Sequence, residues 1–99
     1  METREYRLEK DLERAGVSWA RARGWFVRKY RGPGRRSHPD DLFIYRGAVL
    51  WIEFKLPGNE PTELQWIEIR EMIAHGAIVY WIDDIDDLKA VLTAHEGAA

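Results

Sequence analysis

Two apolar runs, Leu42 to Tyr45 and Val49 to Lys55, stand three residues apart with Arg46-Gly47 in the gap. So short a connection forces the runs to pair side by side as an antiparallel hairpin. Leu56-Pro-Gly-Asn (56–59) then breaks the chain. Pro61 suits the first position of a helix, and Leu64, Trp66, Ile67, Ile69, Met72 and Ile73 carry that helix to about His75, where Gly76 ends it. Ala77 to Ile82 is a nearly continuous apolar run, expected of a strand buried on both faces. A strand reached through a helix runs parallel to the one before it, with a right-handed crossover. Hairpin plus crossover make a mixed sheet.

Upstream, apolar residues at Tyr6, Leu8, Leu12, Ala15, Val17, Trp19 and Ala20 mark a helix over 4–23; Gly16 weakens it and Gly24 suits its end. Trp25 to Tyr30 reads as a strand, and 31–39, with two glycines and two prolines, as a loop. Asp83 or Asp84 can cap a short last helix through about Ala94, and the tail Glu96-Gly-Ala-Ala is expected to fray. The order is α-β-β-β-α-β-α, an α/β chain whose mixed β-sheet is flanked by helices, within one domain, 1–99. Its 45% hydrophobic content and five tryptophans suffice for a core. The absence of cysteine excludes disulfides and thiolate-bound zinc and suits a reducing compartment. Residues 1–6 lack the apolar core of a signal peptide, and the longest apolar run, Ala48 to Ile52, is too short to cross a membrane. A cytoplasmic protein is expected.

The formal net charge of −2 argues by itself against a nucleic-acid partner, but its distribution does not. Seven basic residues and no acidic one lie between Arg21 and Arg36, while Asp83, Asp84, Asp86 and Asp87 crowd toward the other end. A concentrated basic segment makes a local phosphate-binding surface. Within it, Arg35 and Arg36 lead directly into Pro39-Asp40 and are the best phosphate contacts; Lys29 and Arg28 alternate on a strand, so one of them faces the cleft. The hairpin brings its first strand's start, Asp40, beside its second strand's end, Glu53-Phe54-Lys55. Glu53 and Lys55, two apart, share a sheet face, roughly 6–7 Å apart along the chain. Hard carboxylate oxygens suit Mg²⁺ or Mn²⁺, and an ammonium group beside them can orient water or stabilise charge developing on a phosphate. Taken alone, Glu-x-Lys is more often a strand-end ion pair; the Pro-Asp before it and the basic loop beside it favour the site.

Gly34-Arg-Arg-Ser-His-Pro-Asp40, Trp51-Ile-Glu-Phe-Lys55 and Pro61-Thr-Glu-Leu-Gln65, in this order, resemble the VRR-NUC branch of the PD-(D/E)xK nucleases, over residues 9 to about 82. The resemblance implies a restriction-endonuclease-like core and an Mg²⁺- or Mn²⁺-dependent DNA endonuclease of the stand-alone phage or bacterial type. It implies that Asp40 and Glu53 hold the metal, that Lys55 is the catalytic lysine, and that Gln65 supports the site. It also implies a glutamate on the first helix, Glu9 by spacing, with Glu13 one turn on as the alternative; Asp41 is a weaker alternative to Asp40. Ser37-His38 departs from the small residues usual before Pro-Asp. Stand-alone members resemble Holliday-junction resolvases, which implies a homodimer acting on branched or structured DNA. A catalytically silent DNA-binding module and a protein-interaction domain are the competing readings.

His38 can touch phosphate or metal but more often such a loop histidine is structural; His75 suits a helix C-terminus, and His95 lies in the tail. Tryptophans are mostly core, with Trp25 a minor candidate for base stacking. Helix 61–75 carries two apolar stripes, Trp66/Ile69/Ile73 and Leu64/Ile67/Met72. One sheet cannot cover both, so a partner subunit or the terminal helix must cover the second.

Overall fold

The computed structural model describes residue 6 and residues 8–30 and 38–99; Arg35, Arg36 and Ser37 lie outside them. Three helices and four strands follow in the expected order: α1 (Glu9–Ala22), β1 (Phe26–Lys29), β2 (Asp41–Tyr45), β3 (Ala48–Phe54), α2 (Glu63–Ala74), β4 (Ile78–Ile82) and α3 (Ile85–Ala98). The sheet order is β1-β2-β3-β4, antiparallel between the first three and parallel between β3 and β4. The β2–β3 turn places Arg46 at φ 44° and Gly47 at φ 90°, the twist that lets a two-residue connection follow the strands. Its register pairs Tyr45 with Ala48 and Asp41 with Ile52, so Asp40 meets the Glu53 end of β3.

Alternation along the strands sorts residues onto two faces. Val27, Phe43, Leu50, Ile52 and Phe54 are buried under α1 and α3, where Leu12, Leu88 and Leu92 complete the core. Gly16, within α1, admits a neighbour: a Cβ there would stand 2.5 Å from Leu88 Cδ2 and 3.3 Å from the Phe54 ring. The opposite face receives α2, whose Trp66 ring meets Trp81 of β4 edge-on at 6.3 Å.

Four expectations are corrected. β4 is an edge strand and is not buried on both faces; Ile78 is 40% exposed and Val79, Tyr80 and Trp81 are half-buried. Pro61 precedes α2, because Thr62 caps it: Thr62 Oγ1 accepts from Gln65 N at 3.2 Å while Gln65 Oε1 accepts from Thr62 N at 2.8 Å. The tail does not fray after Ala94, since α3, capped by Asp84, continues to Ala98. Glu96 ties it down, accepting from Arg23 Nε at 3.0 Å and Trp25 Nε1 at 2.8 Å. Trp25 is 3% exposed and stacked on Tyr45 at 5.1 Å, so no base can reach its ring.

Candidate active site

Asp40 stands just before β2 and Glu53 one residue before the end of β3. Backbone pairing holds them together: Phe54 N–H donates to Asp40 Oδ2 at 2.9 Å, and Tyr30 N–H to the Asp40 carbonyl at 2.9 Å. Lys55 Nζ lies 4.0 Å from Glu53 Oε1, on the same sheet face. Gln65 reaches the site from the first turn of α2, where Nε2 donates to Glu53 Oε1 at 2.9 Å. The same amide's oxygen caps the helix, so one side chain fixes the start of α2 and the carboxylate beneath it.

Glu53 is 3% exposed and Asp41 2%. Neighbouring carboxylates apart, Glu53 Oε2 and Asp41 Oδ2 have no hydrogen-bond partner among the described residues. Burial first, then the Asp40 charge, push Glu53 up to about 8 against a partial pull from Lys55. Burial, with the Glu13 carboxyl and Asp40 beside it, pushes Asp41 up to about 9. Asp40 is also raised by burial, opposed by its bond from Phe54. Buried carboxylates crowded in this way disfavour one another's ionisation and favour a proton or a cation.

The first helix supplies two more acids. Glu9, at the start of α1, adds to the upward push on Glu53, and Glu13, one turn on, to that on Asp40 and Asp41. Glu13 also binds Lys29 at 2.9 Å. Lys29 therefore sits on the α1 side of the sheet, beside an open cavity of about 310 Å³ lined by Lys10, Arg14, Arg21 and Asp41. Arg28, its alternating neighbour, is on the open face with its guanidinium 4.1 Å from the Phe26 ring centre. His38 Nδ1 bonds the Pro39 carbonyl at 3.0 Å, a loop role, and His75 Nδ1 the Glu71 carbonyl at 2.8 Å at the end of α2. His95 is not in a loose tail but in α3, bonded to Tyr80 Oη at 2.9 Å.

Among the described residues no group of three or more His, Cys, Asp or Glu side chains is arranged to hold a metal. The donor set nevertheless fits a hard cation. Mg²⁺-like ions keep most of their shell as water and substrate oxygens, needing one or two protein carboxylates; Glu53 Oε2 is a buried oxygen without a donor beside Asp40. Sequence reasoning passed over Asp41 as a buried group and Tyr30 as an exposed ring. The strand alternation that separates Asp40 from Asp41 was the signal for the first.

No protein-family profile matches the chain. Among curated proteins, "Putative nuclease p44" of Acyrthosiphon pisum secondary endosymbiont phage 1 is 36% identical over 87 residues, 87% of this chain and 92% of that protein. A solved structure described as "VRR_NUC domain" superposes with a TM-score of 0.79 at 25% identity, over 86% of this chain and 94% of that one. A second, "VRR_NUC domain protein", gives 0.73 at 20% identity, over 93% and 88%, a likeness of fold.

Proposed function

Because the chain belongs to the VRR-NUC nuclease family, we propose that it hydrolyses phosphodiester bonds in DNA with Mg²⁺ or Mn²⁺ held by Asp40 and Glu53. The observation that carries this is the buried, donorless Oε2 of Glu53 beside a second carboxylate. A bound divalent ion supplies a Lewis acid for the phosphate and a water of lowered pKa. Gln65 engages Glu53 Oε1 and so leaves Oε2 for the ion. Phe54 N–H fixes Asp40 in the same way. Lys55 Nζ, on the face of Glu53, orients the attacking water or balances the charge that grows on the phosphate. Glu9, whose charge is felt at Glu53 from α1, is the acid proposed to complete the shell, with Glu13 as the alternative. Arg35 and Arg36, assigned from sequence alone, and Arg28 on the open face are the proposed phosphate contacts; Lys29, engaged with Glu13, steadies the acids as well as adding positive charge.

The finer substrate is branched DNA cut by a homodimer. α3 packs on the face opposite α2, so it covers neither stripe of α2; Leu64 and Ile67 of the second stripe, with Ile73 of the first, remain 70%, 51% and 50% exposed, while Met72 is half-buried. A two-fold axis through that surface buries it against itself and supplies two sites for two strands. In the described residues no helix is long and apolar enough to cross a membrane.

The test is a panel of labelled single strand, duplex, flap and four-way junction, each in EDTA, Mg²⁺ and Mn²⁺. Metal-dependent cleavage, lost in Asp40→Asn and Glu53→Gln, is expected. Full activity in EDTA overturns the reading.

A further inference from the structure

The face of the sheet that receives α2 is only partly covered. α2 lies on β4, and away from it on that face Phe26 and Arg28 of β1, Tyr30 just after β1, and Val49 at the start of β3 are exposed among the described residues. Aromatic side chains on an open strand surface cost hydrophobic free energy unless something meets them. Here they lead straight into the acid site. Trp51 precedes Glu53 by two residues on β3 and so shares its face. The Tyr30 ring, 44% exposed, meets Trp51 edge-on at 5.3 Å and His38 at 4.7 Å. Tyr30 is itself anchored to Asp40 by its backbone N–H. The exposed ring therefore belongs to a residue whose backbone pairs with that of Asp40, and its neighbour Trp51 lies two residues from Glu53 on the same face. Arg28, on the same face, adds a cation where a phosphodiester would pass.

We propose that Tyr30, supported by Trp51, is a stacking platform for an unpaired nucleobase next to the phosphate being cut, with Arg28 contacting the backbone alongside. This rests on the nuclease reading and narrows it. Bases in an intact duplex already stack on one another and keep their faces from the protein. A ring at this position rewards DNA whose bases are unpaired at the cut: a single strand, a flap, or the crossover of a junction. The positive charge and the continuity with the acid site favour a nucleic-acid strand over a second copy of the chain as occupant.

The test places 2-aminopurine at successive positions of a single-stranded oligonucleotide and follows its fluorescence and affinity with the full chain in EDTA and in Ca²⁺. Wild type and Tyr30→Phe are expected to change the fluorescence at one position. Tyr30→Leu should abolish that change and weaken single-strand binding about ten-fold, the loss of one base–aromatic stack, with duplex affinity and melting temperature unchanged. An abasic nucleotide at the responsive position should erase the difference between wild type and Tyr30→Leu. Equal losses on single strand and duplex, or no responsive position, overturn the proposal. So does failure to bind any oligonucleotide while the chain self-associates through this face in sedimentation. Cleavage of the same oligonucleotides in Mg²⁺ and Mn²⁺ separates the two readings. Stacking without cleavage overturns the nuclease alone; cleavage without a Tyr30-dependent signal overturns the platform alone.

Discussion

Replacing Glu53 with glutamine should make the metal-free protein more stable while removing its activity. Glu53 is 3% exposed and its carboxyl is pushed from an ordinary 4.5 to about 8. Between those values the folded chain holds a proton that the unfolded chain releases, so wild-type stability falls as pH rises. At pH 7.5, about three units above the ordinary value, the cost reaches about 4 kcal/mol at ~1.4 kcal/mol per unit. Glutamine keeps the oxygen that accepts from Gln65 Nε2 and carries no charge. The pull of Lys55, 4.0 Å away, is already contained in the value of about 8, and at this pH the wild-type carboxyl is mostly neutral, so no ion pair is lost. A gain of up to about 4 kcal/mol should raise the melting temperature by at least about 15 °C in a domain of this size. Urea or thermal denaturation in EDTA from pH 5 to 8.5 reads it directly: the gap between wild type and Glu53→Gln should widen with pH. Mn²⁺ should then stabilise wild type and leave the variant unchanged. Equal stability of the two proteins at every pH in EDTA would refute the reasoning that a strained acid cluster is kept for a cation.

Three further outcomes are expected. Lys55→Ala should lower the single-turnover cleavage rate by at least about 100-fold, as a lost transition-state contact does, with DNA affinity nearly unchanged in gel-shift titrations. Glu96→Ala leaves Trp25 Nε1 and Arg23 without their acceptor; the Trp25 bond to a charged acceptor alone corresponds to ~2 kcal/mol, a drop in melting temperature of about 10 °C. Because Arg23 and Trp25 hold the Glu96 carboxyl below its usual range, that difference should persist at neutral pH and fade as pH falls through the carboxylate range. Ile67→Glu, at a position 51% exposed on α2, should convert a dimer to a monomer in sedimentation equilibrium while the circular dichroism spectrum stays that of the folded chain; an unchanged dimer would place the interface elsewhere.

Much of the candidate site was legible in the sequence because its geometry is short-range. A two-residue turn needing positive φ sets the β2–β3 register, and the register puts Asp40 against Glu53. A period of two puts Lys55 on the Glu53 face; Gln65 entered only through the family resemblance, and the Thr62 cap that turns it toward the same carboxylate emerged with the structure. Tertiary structure decided what depends on layers and on distant partners. Strand order made β4 an edge although its residues read as a buried strand. Packing of α1 on α3 gave Gly16 its purpose, and bonds spanning 71 and 73 residues joined Glu96 to Trp25 and Arg23, so the tail became helix. The assignment of Lys29 to α1 and Arg28 to the open face required knowing which side the helices cover. Local propensity and register are written residue by residue, whereas burial belongs to whichever surfaces the fold stacks together.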